Sequence, residues 1–340
     1  MKLSVIVPVY NMNHDNLLTF CLDSIINQTI EDYEIIAVDD ASTDDSFSVL
    51  KNYENKYPGQ FKAITYPDNR RQGGAKNEGL KAAQGEWIGF IDSDDWIAPD
   101  FYEKLLKKAE DTGADIVGCS YSIVDEQTFE VGRVVSNNSK DQTGEFLSGS
   151  ELRKKYMLHP GSMVIKIYRH TVIKENNLKF PEHIFYEDNC ASRIWAAYFK
   201  HFELVEEPLY YYYQHDVSTV HTVTEERCMD RMRAMDLMVD EFKSRGLYDT
   251  YKDVLEASYA ELYFKNTLFS YMLNCPDKKL GFVKKLRKGM KERFPDYMDN
   301  PYFELPDKEE EKMMNLCIKA PTVFYIYYSL LWKYRNSRNK

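Results

Sequence analysis

Two acidic clusters stand directly behind short apolar runs. Asp39 and Asp40 follow Glu34–Val38 (EIIAV), and Asp92-Ser93-Asp94-Asp95 follow Trp87–Ile91 (WIGFI). Carboxylates one residue apart can present hard oxygen ligands to Mg²⁺ or Mn²⁺, and such an ion neutralises a departing phosphate. The plainer readings are an aspartate-rich solvated turn for the second cluster and a helix cap, from Asp40 or Ser42, for the first. A third group, Pro8-Val9-Tyr10-Asn11, closes the apolar run that starts at Leu3. No G-x-G-x-x-G or Walker loop accompanies that run, which disfavours dinucleotide or P-loop phosphate binding.

The elements before these clusters must position them. Leu3–Val9, Glu34–Val38, Phe61–Tyr66, Trp87–Ile91 and Ala114–Cys119 read as strands. Between them Leu17, Leu18, Cys21, Leu22, Ile25 and Ile26 recur at helical spacing, and Ser46–Tyr53 continues as a helix. The glycine-bearing segment Gly73–Gly79 leads into another helix, and Phe101, Tyr102, Leu105, Leu106 and Ala109 mark a fourth. Alternating strands and helices predict an α/β fold, Rossmann-like, with a mostly parallel sheet covered by helices on both faces. Ligands of such sheets bind beyond the carboxyl ends of the strands, where the chain order reverses. All three clusters are therefore expected on one edge.

Residues 125–150 are polar and read as a loop or hairpin, and 160–215 mix short strands with a helix before the run Tyr210–Tyr213. After Glu225 two helical stripes appear: Cys228, Met232, Met235, Val239 and Phe242, then Phe282, Leu286, Met290 and Phe294. The expected division is a catalytic domain over 1–220 and a mainly helical region over 221–340. The latter would contact acceptor, a second copy or a membrane.

The 340 residues carry 44 Lys and Arg against 54 Asp and Glu, a net charge of −10. That balance excludes a general nucleic-acid binder, which needs a basic field. The charge is uneven: from Lys312 onward there are six basic and no acidic residues, which leaves −16 on the first 311. No two of the six cysteines are close enough for a C-x-x-C motif, so they read as reduced thiols of a cytoplasmic protein. Leu3–Val9 is too short and too broken by Pro8 for a signal peptide, and no stretch is long enough to span a bilayer. Pro321–Trp332 (PTVFYIYYSLLW), with the basic residues after it, reads either as an interfacial segment at the inner face of a cell membrane or as a last core helix.

Taken together, VIVPVYN at 5–11, SIINQT at 24–29, YEIIAVDDASTDDS at 33–46, GGAKNEGLKAAQGEWIGFIDSDDW at 73–96 and FYEDN at 185–189 resemble the family 2 nucleotide-sugar glycosyltransferases, in order, over roughly the first 220 residues. The resemblance implies a GT-A fold and metal-dependent, inverting transfer from a nucleoside-diphosphate sugar. It implies that Pro8, Val9, Tyr10 and Asn11 line the nucleotide and that Asp40 accepts from uracil N3–H, a donor that cytosine lacks. Asp92, Ser93 and Asp94 would hold the sugar nucleotide, with Asp94 on Mn²⁺ or Mg²⁺, and Asp95 would touch the sugar or brace the loop. Lys76 stands where the family commonly has arginine, so it offers a charge to phosphate without the planar fork. Asp188 matches the general base, and His215 a metal or phosphate ligand, with Ser218 nearby. For Glu187 and Asp188 the plainer reading is compensation of a helix dipole, and Trp96 and Tyr186 either stack on a sugar or fill the core.

No Q-x-x-R-W motif is present, unlike the family's processive synthases. The resemblance thus implies addition of a single hexosyl or N-acetylhexosaminyl unit from a UDP-sugar. The acceptor would be a surface glycan: capsule, lipopolysaccharide, teichoic acid or a glycoprotein glycan, free or lipid-linked. The alternatives are a sugar nucleotidyltransferase, which would normally show a glycine- and basic-rich loop near its N-terminus, or an inactive sugar-nucleotide- or glycan-binding module.

Overall fold

The computed structural model describes residues 1–214, 223–305 and 307–338, with main chain alone from 332 on. The chain divides into two compact units, residues 1–216 and 217–340. The first opens with the expected alternation: β1 (Leu3–Val9), α1 (Leu17–Ile26), β2 (Tyr33–Asp39), α2 (Ser46–Lys56), β3 (Phe61–Thr65), α3 (Arg71–Ala82) and β4 (Trp87–Phe90). After it come β5 (Trp96–Ile97), α4 (Phe101–Thr112), β6 (Ile116–Val124), β7 (Arg133–Val135), β8 (Gly144–Glu145) and α5 (Glu151–Leu158). β9 (Lys166–Arg169), α6 (His170–Glu175), α7 (Glu187–Ala196) and β10 (His201–Tyr213) complete the unit.

One sheet runs in the order β3-β2-β1-β4-β9-β6-β10-β5, with β7 on β6 and β8 on β10. β3, β2, β1 and β4 are parallel, as are β6 and β10. β9 is antiparallel to both β4 and β6 and joins the two parallel groups, so the sheet is mixed at its centre. Every residue of β1 and β2 is buried, as both faces of a helix-covered sheet require. The chain winds outward from β1 through β2 to β3, then returns to place β4 on the other side of β1. That reversal opens the crevice in which doubly wound sheets bind ligands.

The glycines at 73–79 lie inside α3 rather than leading into it. Gly is a poor helix former, so periodicity alone misplaces the helix start. Tertiary contact explains the choice: a Cβ on Gly73 would lie 1.9 Å from the Pro181 carbonyl oxygen, and one on Gly79 would lie 2.4 Å from Ile6.

The described part of the second unit is helical: α8 (Glu225–Ser244), α9 (Tyr248–Tyr259), α10 (Thr267–Asn274), α11 (Leu280–Arg293), α12 (Lys308–Lys319) and α13 (Pro321–Arg338). A π-helical turn, Ala260–Asn266, joins α9 to α10. Both stripes read from the sequence face inward. Cys228, Met232, Met235, Val239 and Phe242 on α8 are buried, as are Phe282, Leu286, Met290 and Phe294 along α11. Each such side chain contributes about 1.5–3 kcal/mol of burial. All six cysteines are buried, and none forms a disulfide. No described helix is long and apolar enough to cross a membrane.

Candidate active site

The crevice is built from the ends of β1, β2 and β4. Pro8 and Val9 are buried within β1, and the chain emerges at Tyr10, which is 45% exposed. Asn11 follows with φ 51°, its backbone N–H donating to Ser42 Oγ (2.9 Å) and its Oδ1 accepting from the Thr43 N–H (2.7 Å). The β1 and β2 loops are thus latched together. Asp40 is buried at the end of β2, and its Oδ1 accepts from the Tyr66 hydroxyl (2.6 Å) and the Arg70 N–H (2.7 Å). Burial raises its pKa, with those two hydrogen bonds opposing. The Arg70 guanidinium lies 3.9 Å from the Tyr66 ring centroid, which closes this side of the crevice.

Asp92, just past β4, has its pKa pushed up to about 6. Burial is the main cause; Lys76 opposes it, and the charges of Asp94, Glu187 and Asp188 add to it. Gln72 Nε2 donates to Asp92 Oδ1 at 3.4 Å. Asp95 points elsewhere: its two oxygens accept from the Tyr210 hydroxyl (2.5 Å) and the Tyr213 N–H (2.9 Å). These bonds brace the loop against β10. Ser93 is buried between these aspartates. Trp96 is core as well, its Nε1 donating to the Thr128 carbonyl and its ring stacked on Tyr211.

Across from Asp92 lies the start of α7. Lys76 on α3 donates to Glu187 Oε1 (2.8 Å) and to Gln72 Oε1 (3.1 Å), and both ion-pair partners are buried. Burial lowers its pKa, but Glu187 and Asp92 outweigh that and raise it to about 12. Its ammonium is thus paired with the first turn of α7. Asp188, the next residue, is exposed, yet dense protein surrounds its carboxyl, the combination of a cleft wall open on one side. Burial first, then Glu187, raises its pKa against the pull of Lys76. Both acids do sit in the first turn of α7, as the dipole reading requires. The Asp188 charge also reaches Asp92.

Backbone strain gathers here. Asn11, Ala41, Arg71, His183 and Tyr186 all have positive φ, and such non-glycine outliers cluster at functional sites. His215 and Ser218 lie outside the described residues. Sequence reasoning missed Tyr66, Arg70 and Gln72. Tyr66 closes β3 on the same sheet edge, so the rule that singled out Asp40 and Asp92 also applied to it.

Among the described residues no three His, Cys, Asp or Glu side chains converge as a metal cage. A divalent ion shared with substrate phosphates needs only one or two carboxylates. Asp92 and Asp94 fit that lesser requirement, because burial first and then the Asp94 charge raise Asp92, and a cation would offset both.

Residues 4–155 match the family model described as Glycosyl transferase family 2. Over 223 residues, 64% of this chain, the sequence is 35% identical to the putative glycosyltransferase EpsH of Bacillus subtilis, and the match covers 62% of that protein. It is 33% identical over 186 residues to the poly(ribitol-phosphate) beta-glucosyltransferase of Bacillus spizizenii, covering 54% of this chain and 27% of that one. The matched region thus spans less than two thirds of either relative. In fold, the chain superposes on Staphylococcus aureus TarS 1-349 in complex with UDP-GlcNAc. The TM-score is 0.71 at 20% identity, over 99% of this chain and 92% of that one. From β1 into α5, with the acidic loop behind β4 inside the matched span, residues 4–155 match glycosyltransferase family 2.

Proposed function

We propose that the protein transfers a single hexosyl or N-acetylhexosaminyl unit from a UDP-sugar to a hydroxyl of a surface-glycan acceptor, with inversion. The observation that carries this reading is that Lys76 on α3 joins Glu187 at the start of α7, which brings Asp188 close enough for its charge to reach Asp92 at the end of β4. The relatives' printed activities on poly(ribitol-phosphate) support a polyol-phosphate or similar glycan acceptor. UDP-GlcNAc in the TarS complex supports a uridine donor.

The chemistry follows from the residues. Asp40, held by Tyr66 and Arg70, would accept from the uracil N3–H. Mn²⁺ or Mg²⁺ on Asp94 and Asp92, when bound, would supply charge neutralisation for the leaving diphosphate. An acceptor hydroxyl has a very high pKa and must lose its proton while attacking the anomeric carbon. Asp188 takes that proton: the new C–O bond forms on one face of the sugar as the bond to UDP breaks on the other. The raised Asp188 pKa makes it a stronger base than an ordinary aspartate. Glu187 and Lys76 fix its position.

The test is UDP release from a panel of UDP-sugars, with candidate acceptors, by wild type and Asp188→Asn. The variant loses about 10²–10⁴-fold in transfer with UDP affinity unchanged by calorimetry. Transfer near the wild-type rate would remove the base role, and equal affinity for CDP would remove the Asp40 reading.

A further inference from the structure

α13 presents two unlike faces. Phe324 and Tyr328 are buried, with Tyr328 against Phe269 on α10. Val323, Ile326, Tyr327 and Leu330, at helical spacing on the opposite side, are 55%, 54%, 47% and 62% exposed. A contiguous apolar stripe of this kind on a soluble surface marks an interaction site.

Its surroundings identify the partner. From Lys278 to Lys291 the chain carries seven basic residues and no acidic one. This segment includes most of α11 and is tied to α13 and its approach at two points. The Tyr325 hydroxyl donates to the Lys278 carbonyl (2.9 Å), and Arg287 Nε donates to the Ile318 carbonyl (2.6 Å). Lys284, Lys288 and Lys291 lie along one line of α11 and are exposed. Four more basic residues, Lys333, Arg335, Arg338 and Lys340, follow the stripe in sequence, again without an acid. A second copy would bring like charge against like charge. An anionic lipid surface complements the charge and accepts the stripe.

We infer that the second unit docks on an anionic bilayer, with the α13 stripe entering the headgroup region and α11 supplying the cations. This is peripheral binding, since no described helix can span. The surface requires nothing of the crevice, so it stands or falls apart from the transferase reading.

The experiment is flotation of the full chain with phosphatidylglycerol-containing and pure phosphatidylcholine vesicles, alongside UDP calorimetry. Wild type floats with the anionic vesicles alone, and high salt releases it. Lys284→Gln/Lys288→Gln/Lys291→Gln weakens anionic binding roughly 100-fold, at about fivefold per lysine. Ile326→Ser/Leu330→Ser weakens it at least about tenfold through lost apolar burial. Both variants keep the wild-type helical circular dichroism and cooperative urea transition, which shows that they are folded, and their UDP affinity is unchanged. Failure of wild type to float, or wild-type flotation by both variants, overturns the inference. So does a loss of self-association in the Ile326→Ser/Leu330→Ser variant with vesicle binding unchanged, which would assign the stripe to a second copy.

Discussion

At the scale of residues, three neighbouring aspartates take different parts. Asp92 and Asp94 share a half-buried, electrostatically crowded place, whereas both Asp95 oxygens are bound to β10. Spacing alone cannot separate these fates, because alternation fixes which side of the backbone a residue leaves and not what it meets. The crowding has a measurable consequence. Mn²⁺ added with UDP raises the Tm of the wild type, since a ligand bound only to the native state stabilises it by mass action. Asp94→Asn loses most of that increment while keeping its fold. An equal increment in the variant would move the cation elsewhere.

At the scale of elements, the contact of α3 with the segment before α7 decides the shape of the crevice. α3 carries Lys76 and α7 carries Asp188, and Gly73 lets the Pro181 carbonyl approach the helix. Gly73→Ala would improve local helix propensity by about 0.8–1 kcal/mol, yet the clash at 1.9 Å must displace backbone. Net destabilisation of about 1–3 kcal/mol is expected, measured as a lower urea midpoint, together with a fall in transfer rate as Asp188 shifts. A stabilised variant of normal activity would show that the approach has slack. The same contact explains the misplaced helix start: α3 tolerates its glycines because packing against β1 and Pro181 outweighs propensity.

At the scale of the whole molecule, a buried lysine outside the crevice ties stability to pH. Lys166 on β9 is 1% exposed, donates to the Ser162 carbonyl (2.6 Å), and has its pKa pushed by burial from 10.5 down to about 7. Below pH 7 the lysine is charged both folded and unfolded, and its burial costs the native state in full. Between about 7 and 10.5 the unfolded chain holds the proton more tightly, so native stability rises with pH by up to about 1.4 kcal/mol per unit. Lys166→Met removes that dependence. Its stability advantage over wild type is greatest at pH 7 and shrinks toward pH 9, as read from urea midpoints. An advantage independent of pH would mean that Lys166 is solvated.

Local patterning was enough for the strand–helix alternation, for the sheet edge shared by the clusters at Pro8–Asn11, Asp39–Asp40 and Asp92–Asp95, and for the inward stripes of α8 and α11. Periodicity and apolar runs are local properties written at fixed spacing. The tertiary structure decided what each polar group faces: Asp95 on β10, Lys76 on Glu187, Tyr66 and Arg70 on Asp40, and β9 antiparallel between two parallel groups. It also decided that α13 is both core and surface, with Phe324 inside and Leu330 outside. Those choices depend on partners tens to more than a hundred residues away. The energy of a buried charge or aromatic is set by its neighbours in space, which spacing along the chain does not encode.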